Sequence, residues 1–200
     1  MHTYSYSEKI YTQPTVEPID LTAAKAHLRE SDTAFDTSIE SLITVARTQI
    51  EQWTDLALIT QTWDYWTSRH FRHYEYYGRP FSIKIPRGPV SSVDAVESID
   101  DSGTATAIDS SKYVIDLLSE PCEVRFLSGA PDGRIHLRYT AGVDSPDDVA
   151  APLRQAILLL LGALYDNRTE EVIAAATLTT IRLQIGVDSL ILNYRWGGGC

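Results

Sequence analysis

Within this 200-residue chain, His70, His73 and Glu75 are spaced closely enough to hold a metal ion. They lie in the run His70-Phe71-Arg72-His73-Tyr74-Glu75-Tyr76-Tyr77, and imidazole nitrogen and carboxylate oxygen are ordinary zinc ligands. A histidine pair alone is common, however, and the rest of the run is aromatic side chains and an arginine, the types favoured where proteins meet. His70, Phe71, Arg72, His73, Tyr74, Tyr76 and Tyr77 are therefore read as an aromatic hairpin tip or a subunit or tail contact, with no metal ligand assigned. Asp100-Asp101-Ser102-Gly103 and the stretch Asp144 to Asp148 offer oxygen ligands. Neither has the regular alternation and distant glutamate of a calcium loop, so turn and helix-cap duty is expected of both. His27 and His136 have no serine or cysteine partner at a telling spacing, and structural roles are expected for them. There is no phosphate-cradling glycine loop, His-Glu-x-x-His, Gly-x-Ser-x-Gly elbow or Cys-x-x-Cys pair. No catalytic residue, cofactor-binding residue or cofactor is expected, and the chain reads as a non-enzyme.

Composition narrows the class further. Hydrophobic residues at 44% and charged residues at 22% are those of a folded globular chain, long enough to bury a core without disulfides or metals. The two cysteines, Cys122 and Cys200, form no framework, which fits a reducing, cytoplasmic origin. The longest apolar run, Ala156 to Tyr165, is too short to cross a bilayer and no charged-then-apolar leader opens the chain, so a soluble protein with no membrane partner is expected. A net charge of −10 without a Lys/Arg cluster argues against tight nucleic-acid binding. Weak, sliding contact with DNA is compatible with it, because a like-charged wall discourages sticking.

The elements that must position these residues follow from periodicity. Residues 1–18 are polar, Tyr-rich and carry Pro14 and Pro18, which predicts an extended arm. A short helix is expected after Thr22 as its cap, to about Arg29. A longer one is predicted from Phe35, Ile39, Leu42, Ile43, Ala46, Ile50 and Trp53, which step by three or four. From Leu58 the β-branched and aromatic residues Thr60, Thr62, Trp63, Tyr65 and Trp66 begin a strand region. Strands at Ser82–Ile85, Ser91–Ile99, Tyr113–Leu117, Cys122–Leu127 and Arg134–Tyr139 follow, separated by Pro/Gly/Asp turns, and an antiparallel sheet is expected. A third helix between Asp147 and Arg168 is apolar all round in its middle, Ile157 to Leu161, and is placed at the core centre between the sheet and the second helix. The order is α-α-β-α, an α+β fold, with residues 1–18 as an N-terminal arm, 19–176 as a single domain and 177–200 as a C-terminal tail.

Taken in order, several segments resemble the head-tail connector, or adaptor, family of long-tailed phages and gene transfer agents. They are Glu17-Pro18-Ile19-Asp20-Leu21-Thr22, Ala24-Lys25, His27-Leu28-Arg29, and Ile39, Leu42, Ile43 and Ala46 of the second helix. More specific are Leu58-Ile59-Thr60-Gln61-Thr62-Trp63, Pro86-Arg87-Gly88-Pro89-Val90, Tyr139-Thr140-Ala141-Gly142, and the helix ending Tyr165-Asp166-Asn167-Arg168. Gly186-Val187 through Leu190 to Tyr194-Arg195 is similar to the family's C-terminal segment. The stretch His70 to Pro80 is longer than the usual connection, and Gly197-Gly198-Gly199-Cys200 departs from the pattern.

The resemblance implies a homo-oligomer, a dodecameric ring beneath the portal at the virion neck, joined on its far side to a tail-side neck or stopper protein. It also implies a central channel through which DNA passes without specific binding. By the same resemblance Leu190, Ile191, Tyr194, Arg195 and Trp196 form the portal-docking tail. Another neck or tail-completion protein is the nearest alternative, and a small enzyme with a dispersed site a more distant one.

Overall fold

The computed structural model describes residues 6–67, 81–128, 131–166 and 186–194. The fold is α+β, with three complete α-helices, a further helical segment at residues 186–191 and two antiparallel sheets among these residues. The chain divides into two compact units, a helical one within residues 15–59 and 143–198 and a sheet one within residues 1–14 and 60–142.

In the helical unit, α1 spans Leu21–Leu28. Its cap is Asp20 rather than Thr22: the Asp20 carboxylate accepts from the Ala23 amide at 2.6 Å, and Thr22 lies inside the first turn. Aspartate serves better there because it adds full negative charge at the positive end of the helix dipole. The helix stops at Arg29, which adopts a left-handed conformation (φ 56°). Helix α2, Asp36–Thr54, buries Ile39, Ile43, Ala46 and Ile50, as the spacing predicts. Trp53 departs from that stripe and is 39% exposed. The buried positions of the last turns go instead to Glu51 and Thr54, because Glu51 is the partner of buried Arg47.

A 3-10 turn, Pro146–Asp148, precedes α3, with the Ser145 hydroxyl accepting from the Asp147 amide at 3.3 Å. Helix α3 then runs Ala151–Asp166, starting four residues after Asp147, the expected outer bound, because Val149 is extended. Leu153, Ala156, Ile157, Leu160 and Leu161 are buried, and Leu158 and Leu159 are only half-buried. The helix is therefore not enclosed on all sides, and within its unit it packs on α1 and α2. Residues 186–191 are helical, followed by a 3-10 turn at Leu192–Tyr194, and Val187 and Ile191 complete the core.

The sheet unit holds a five-stranded sheet and a three-stranded one in place of a single sheet. The larger has the order β1-β2-β8-β4-β5, from β1 (Tyr6–Thr12), β2 (Gln61–Thr67), β8 (Arg134–Ala141), β4 (Val90–Ile99) and β5 (Ala105–Ala107). The smaller has the order β3-β7-β6, from β3 (Ser82–Lys84), β7 (Glu123–Phe126) and β6 (Tyr113–Asp116). Part of the expected N-terminal arm is thus extended as a paired strand, Ile10 opposite Trp63 and Glu8 opposite Tyr65. Side chains alternate between faces along a strand. Trp63, Tyr65, Leu137 and Tyr139 accordingly form one buried face, and Asp64, Trp66, His136 and Arg138 lie on the other. In the smaller sheet Phe81, Val124 and Phe126 are buried, with the two phenylalanine rings 5.5 Å apart.

Candidate functional site

Among the described residues, a connected group of titratable side chains lies on the second face of the five-stranded sheet, where β2, β8 and β4 run side by side. Asp64 stands opposite Arg138, and His136 opposite Glu97. Asp64 accepts from Arg138 Nε at 2.8 Å through one oxygen and from Nη2 at 3.0 Å through the other, a bidentate pair. His136 Nε2 is 2.9 Å from Asp64 Oδ1, and its Nδ1 is 2.9 Å from Glu97 Oε2. Trp66 stacks on the imidazole at 5.1 Å, and the Arg138 guanidinium sits 3.5 Å above the centre of the Tyr11 ring. Burial raises the pKa of Asp64, but its hydrogen bonds to Arg138 and His136 outweigh that and hold the carboxyl below its ordinary value.

An Asp-His-Glu arrangement invites comparison with acid-base catalysis. A general base needs one imidazole nitrogen facing the proton it removes. Both nitrogens of His136 are engaged by carboxylates, so the group is a cross-strand clamp joining β2, β8 and β4. His136 does have the structural role expected of it, with partners 72 and 39 residues away that spacing could not reveal. His27 lies beside α3, where a Cβ added at Gly162 would come 3.5 Å from its Nε2.

On the opposite face Arg87, from the Pro86-Arg87-Gly88-Pro89 turn, is buried with its guanidinium 4.5 Å from the centre of the Trp63 ring. Its Nη2 and Nε donate to Glu8 Oε1 at 2.6 and 2.9 Å, tying β1 to that turn. In the helical unit Arg47, 2% exposed, donates to Glu17 at 2.8 Å and to Glu51 at 2.6 Å. Glu51 also accepts from the Leu58 amide at 2.8 Å. Both ionic groups fasten segments distant in sequence.

The acidic runs have the local duties expected of them. Asp100 accepts from the Ser102 and Thr104 amides, each at 2.9 Å, closing a turn in which Gly103 has φ +87°. The Ser102 hydroxyl, which donates to Asp100 at 2.7 Å, and then those amide bonds hold its carboxyl below the ordinary range. Near the other run, Ser145 caps the turn before α3, and Asp147 pairs with Arg154 at 3.5 Å. No group of three or more His, Cys, Asp or Glu side chains among the described residues could hold a metal ion. Cys122 is buried, and burial pushes its thiol up to about 11, out of the nucleophilic range.

Of the expected docking residues, Ile191 is buried in the helical core, and Leu190 and Tyr194 are half-buried against it. Leu192 is exposed between them. Arg195 and Trp196 lie outside the described residues, as does the whole stretch His70, Phe71, Arg72, His73, Tyr74, Tyr76 and Tyr77. One surface was not anticipated: Val114, Leu117, Leu118 and Leu127, all exposed, run along the β6-β7 hairpin. Its signal in the sequence was the apolar pair Leu117-Leu118 set in a turn before Ser119-Glu120-Pro121.

No family model matches the sequence, and no curated protein is similar to it. Solved structures are similar over nearly the whole chain. A chain from the neck of an empty GTA particle, computed with C6 symmetry, aligns with 97% of this chain and 97% of its own length, at a TM-score of 0.74 and 21% identity. A chain from the virion of a native gene transfer agent (GTA) particle covers 96% of this chain and 97% of its own, with TM-score 0.73 and 20% identity. One from the neck of a native GTA particle computed with C12 symmetry covers 96% and 98%, with TM-score 0.64 and 21% identity. The α+β fold described above is the fold of these particle chains.

Proposed function

We propose that this chain is a non-enzymatic head-tail connector subunit, which forms a ring in the neck of a tailed phage or phage-like particle, between portal and tail. The observation that carries the reading is the end-to-end likeness in fold to chains from particle necks, one computed with C6 and one with C12 symmetry. It agrees with the order of motifs from Glu17 to Arg195 and with the engagement of both His136 nitrogens, which leaves that cluster without a free base. In a ring, subunits of net charge −10 concentrate negative potential near the axis and keep passing DNA mobile. A lumen lined mostly by lysine and arginine would remove that part of the reading. The tail Leu190, Ile191, Tyr194, Arg195 and Trp196 docks to the portal, with buried Ile191 holding its root to the helical core.

The test is electron microscopy of particles from a strain lacking this gene, with and without the gene on a plasmid. Full heads beside free tails, with joining restored by the plasmid, are expected. Normally joined particles from the deletion strain would sink the reading. Pull-down with portal protein separates a connector from another neck or tail-completion protein, which would bind tail-side components instead.

A further inference from the structure

The two units differ sharply in charge. Residues 15–59 and 143–198 carry 15 acidic and 7 basic side chains, net −8, whereas residues 1–14 and 60–142 carry 12 and 10, net −2; together they give the 27, 17 and −10 of the chain. Copies of one chain that meet side by side bring like charges together, and the cost is least where the surface is closest to neutral. The nearly neutral sheet unit is also where exposed apolar side chains run along one hairpin, from Leu127 at its base past Val114 on β6 to Leu117 and Leu118 in its loop. Among the described residues strand β6 is an edge of its sheet, and an edge strand can take a further partner. The outward-facing charges beside it are balanced, with Glu123 paired to Arg125 at 3.2 Å.

Leu118 is the most exposed large apolar residue among those described, at 96%. Its loop is nevertheless held in shape. Asp116 accepts from the amides of Leu118 and Ser119, each at 3.1 Å, and the Ser119 hydroxyl lies 3.1 Å from the Pro121 carbonyl oxygen and 3.2 Å from that of Asp116. A leucine presented on a pre-ordered loop loses little conformational freedom when it is covered, which favours a contact there.

We propose that the β6-β7 hairpin, with Leu118 at its tip, is a subunit-subunit contact of the ring, covered by a second copy of this chain. The contact is heterologous, since a ring of more than two copies places different surfaces of each neighbour together. The inference rests on the ring reading above.

It is tested with the full chain on heads from its own particle. The native chain and Leu117→Asp/Leu118→Asp are each supplied to the deletion strain, heads are purified, and copies per head are counted by quantitative mass spectrometry. The double variant should lower the count by about tenfold or more, while its thermal unfolding in isolation matches the native chain. If it does not fold, Val114→Lys probes the same hairpin with one exposed change. Full copy number with joined tails overturns the inference and leaves the ring reading standing. Full copy number with unjoined tails also overturns it, assigning the hairpin to a tail-side partner. Absence of the native chain from heads would overturn the ring reading itself.

Discussion

At the scale of single residues, ionic groups in buried positions carry sharp consequences. Removing one partner of a buried pair leaves the other charge desolvated and alone. Arg47 serves two carboxylates, one of which also holds the Leu58 amide, so Arg47→Ala should destabilise the protein by about 3–5 kcal/mol, as read from urea unfolding. An exposed pair such as Glu123 with Arg125 should contribute at most about 1 kcal/mol. Asp64 makes a different prediction. Its folded pKa lies below the ordinary 3.8, so its stabilisation is fully present above that value and is lost as pH falls through the depressed folded value. Unfolding free energy should fall as pH drops below about 4, and Asp64→Asn should flatten that acid limb. An acid limb identical in native and variant chains would mean that the bond to Arg138 gives Asp64 no preference for its ionised form.

Elements are shaped here by a few local devices whose strength differs with surroundings. Gly103 and Gly133 have nearly the same backbone, φ +87° and +88°. A Cβ at Gly103 meets nothing within 4 Å, whereas one at Gly133 would lie 2.3 Å from the Ile99 carbonyl oxygen at the end of β4. Gly103→Ala should therefore cost only the left-handed strain, about 1–2 kcal/mol. Gly133→Ala adds a backbone clash and should cost clearly more, with differential scanning calorimetry separating the two. Equal costs would show that β4 yields freely at Ile99. Removing the α1 cap by Asp20→Ala should cost about 1 kcal/mol in the same measurement.

For the whole molecule, the predictions concern assembly. Replacing Tyr194 and Trp196 together by alanine should abolish attachment to the portal, measured by pull-down, while leaving the isolated chain folded. Ile191, in contrast, is buried in the helical core, and Ile191→Ala should lower stability by about 2–5 kcal/mol even without a partner. Unchanged portal attachment by the Tyr194/Trp196 variant would retire the docking assignment. In the ring proposed above, the helical unit, with most of the net charge, would present like charge, and the sheet unit, with its exposed hairpin leucines, the adhesive surface.

Local rules are enough to read α2, α3 and most strands from the sequence, because apolar spacing is set by the geometry of each element alone. The α+β class and the order of motifs were equally legible. Three features needed tertiary structure, each for a physical reason. The pairing of Tyr6–Thr12 as an edge strand was hidden because that segment is polar, being exposed along most of its length. The division into two sheets was hidden because strand order depends on register between distant segments, such as β2 with β8. The partners of His136, Arg87 and Arg47 lie 30 to 79 residues away in most cases, and only the folded chain brings them within hydrogen-bond reach. Residue types thus determined which segments must be buried and which exposed. Long-range pairing decided which charges meet, and so that the titratable cluster on the five-stranded sheet joins β2, β8 and β4.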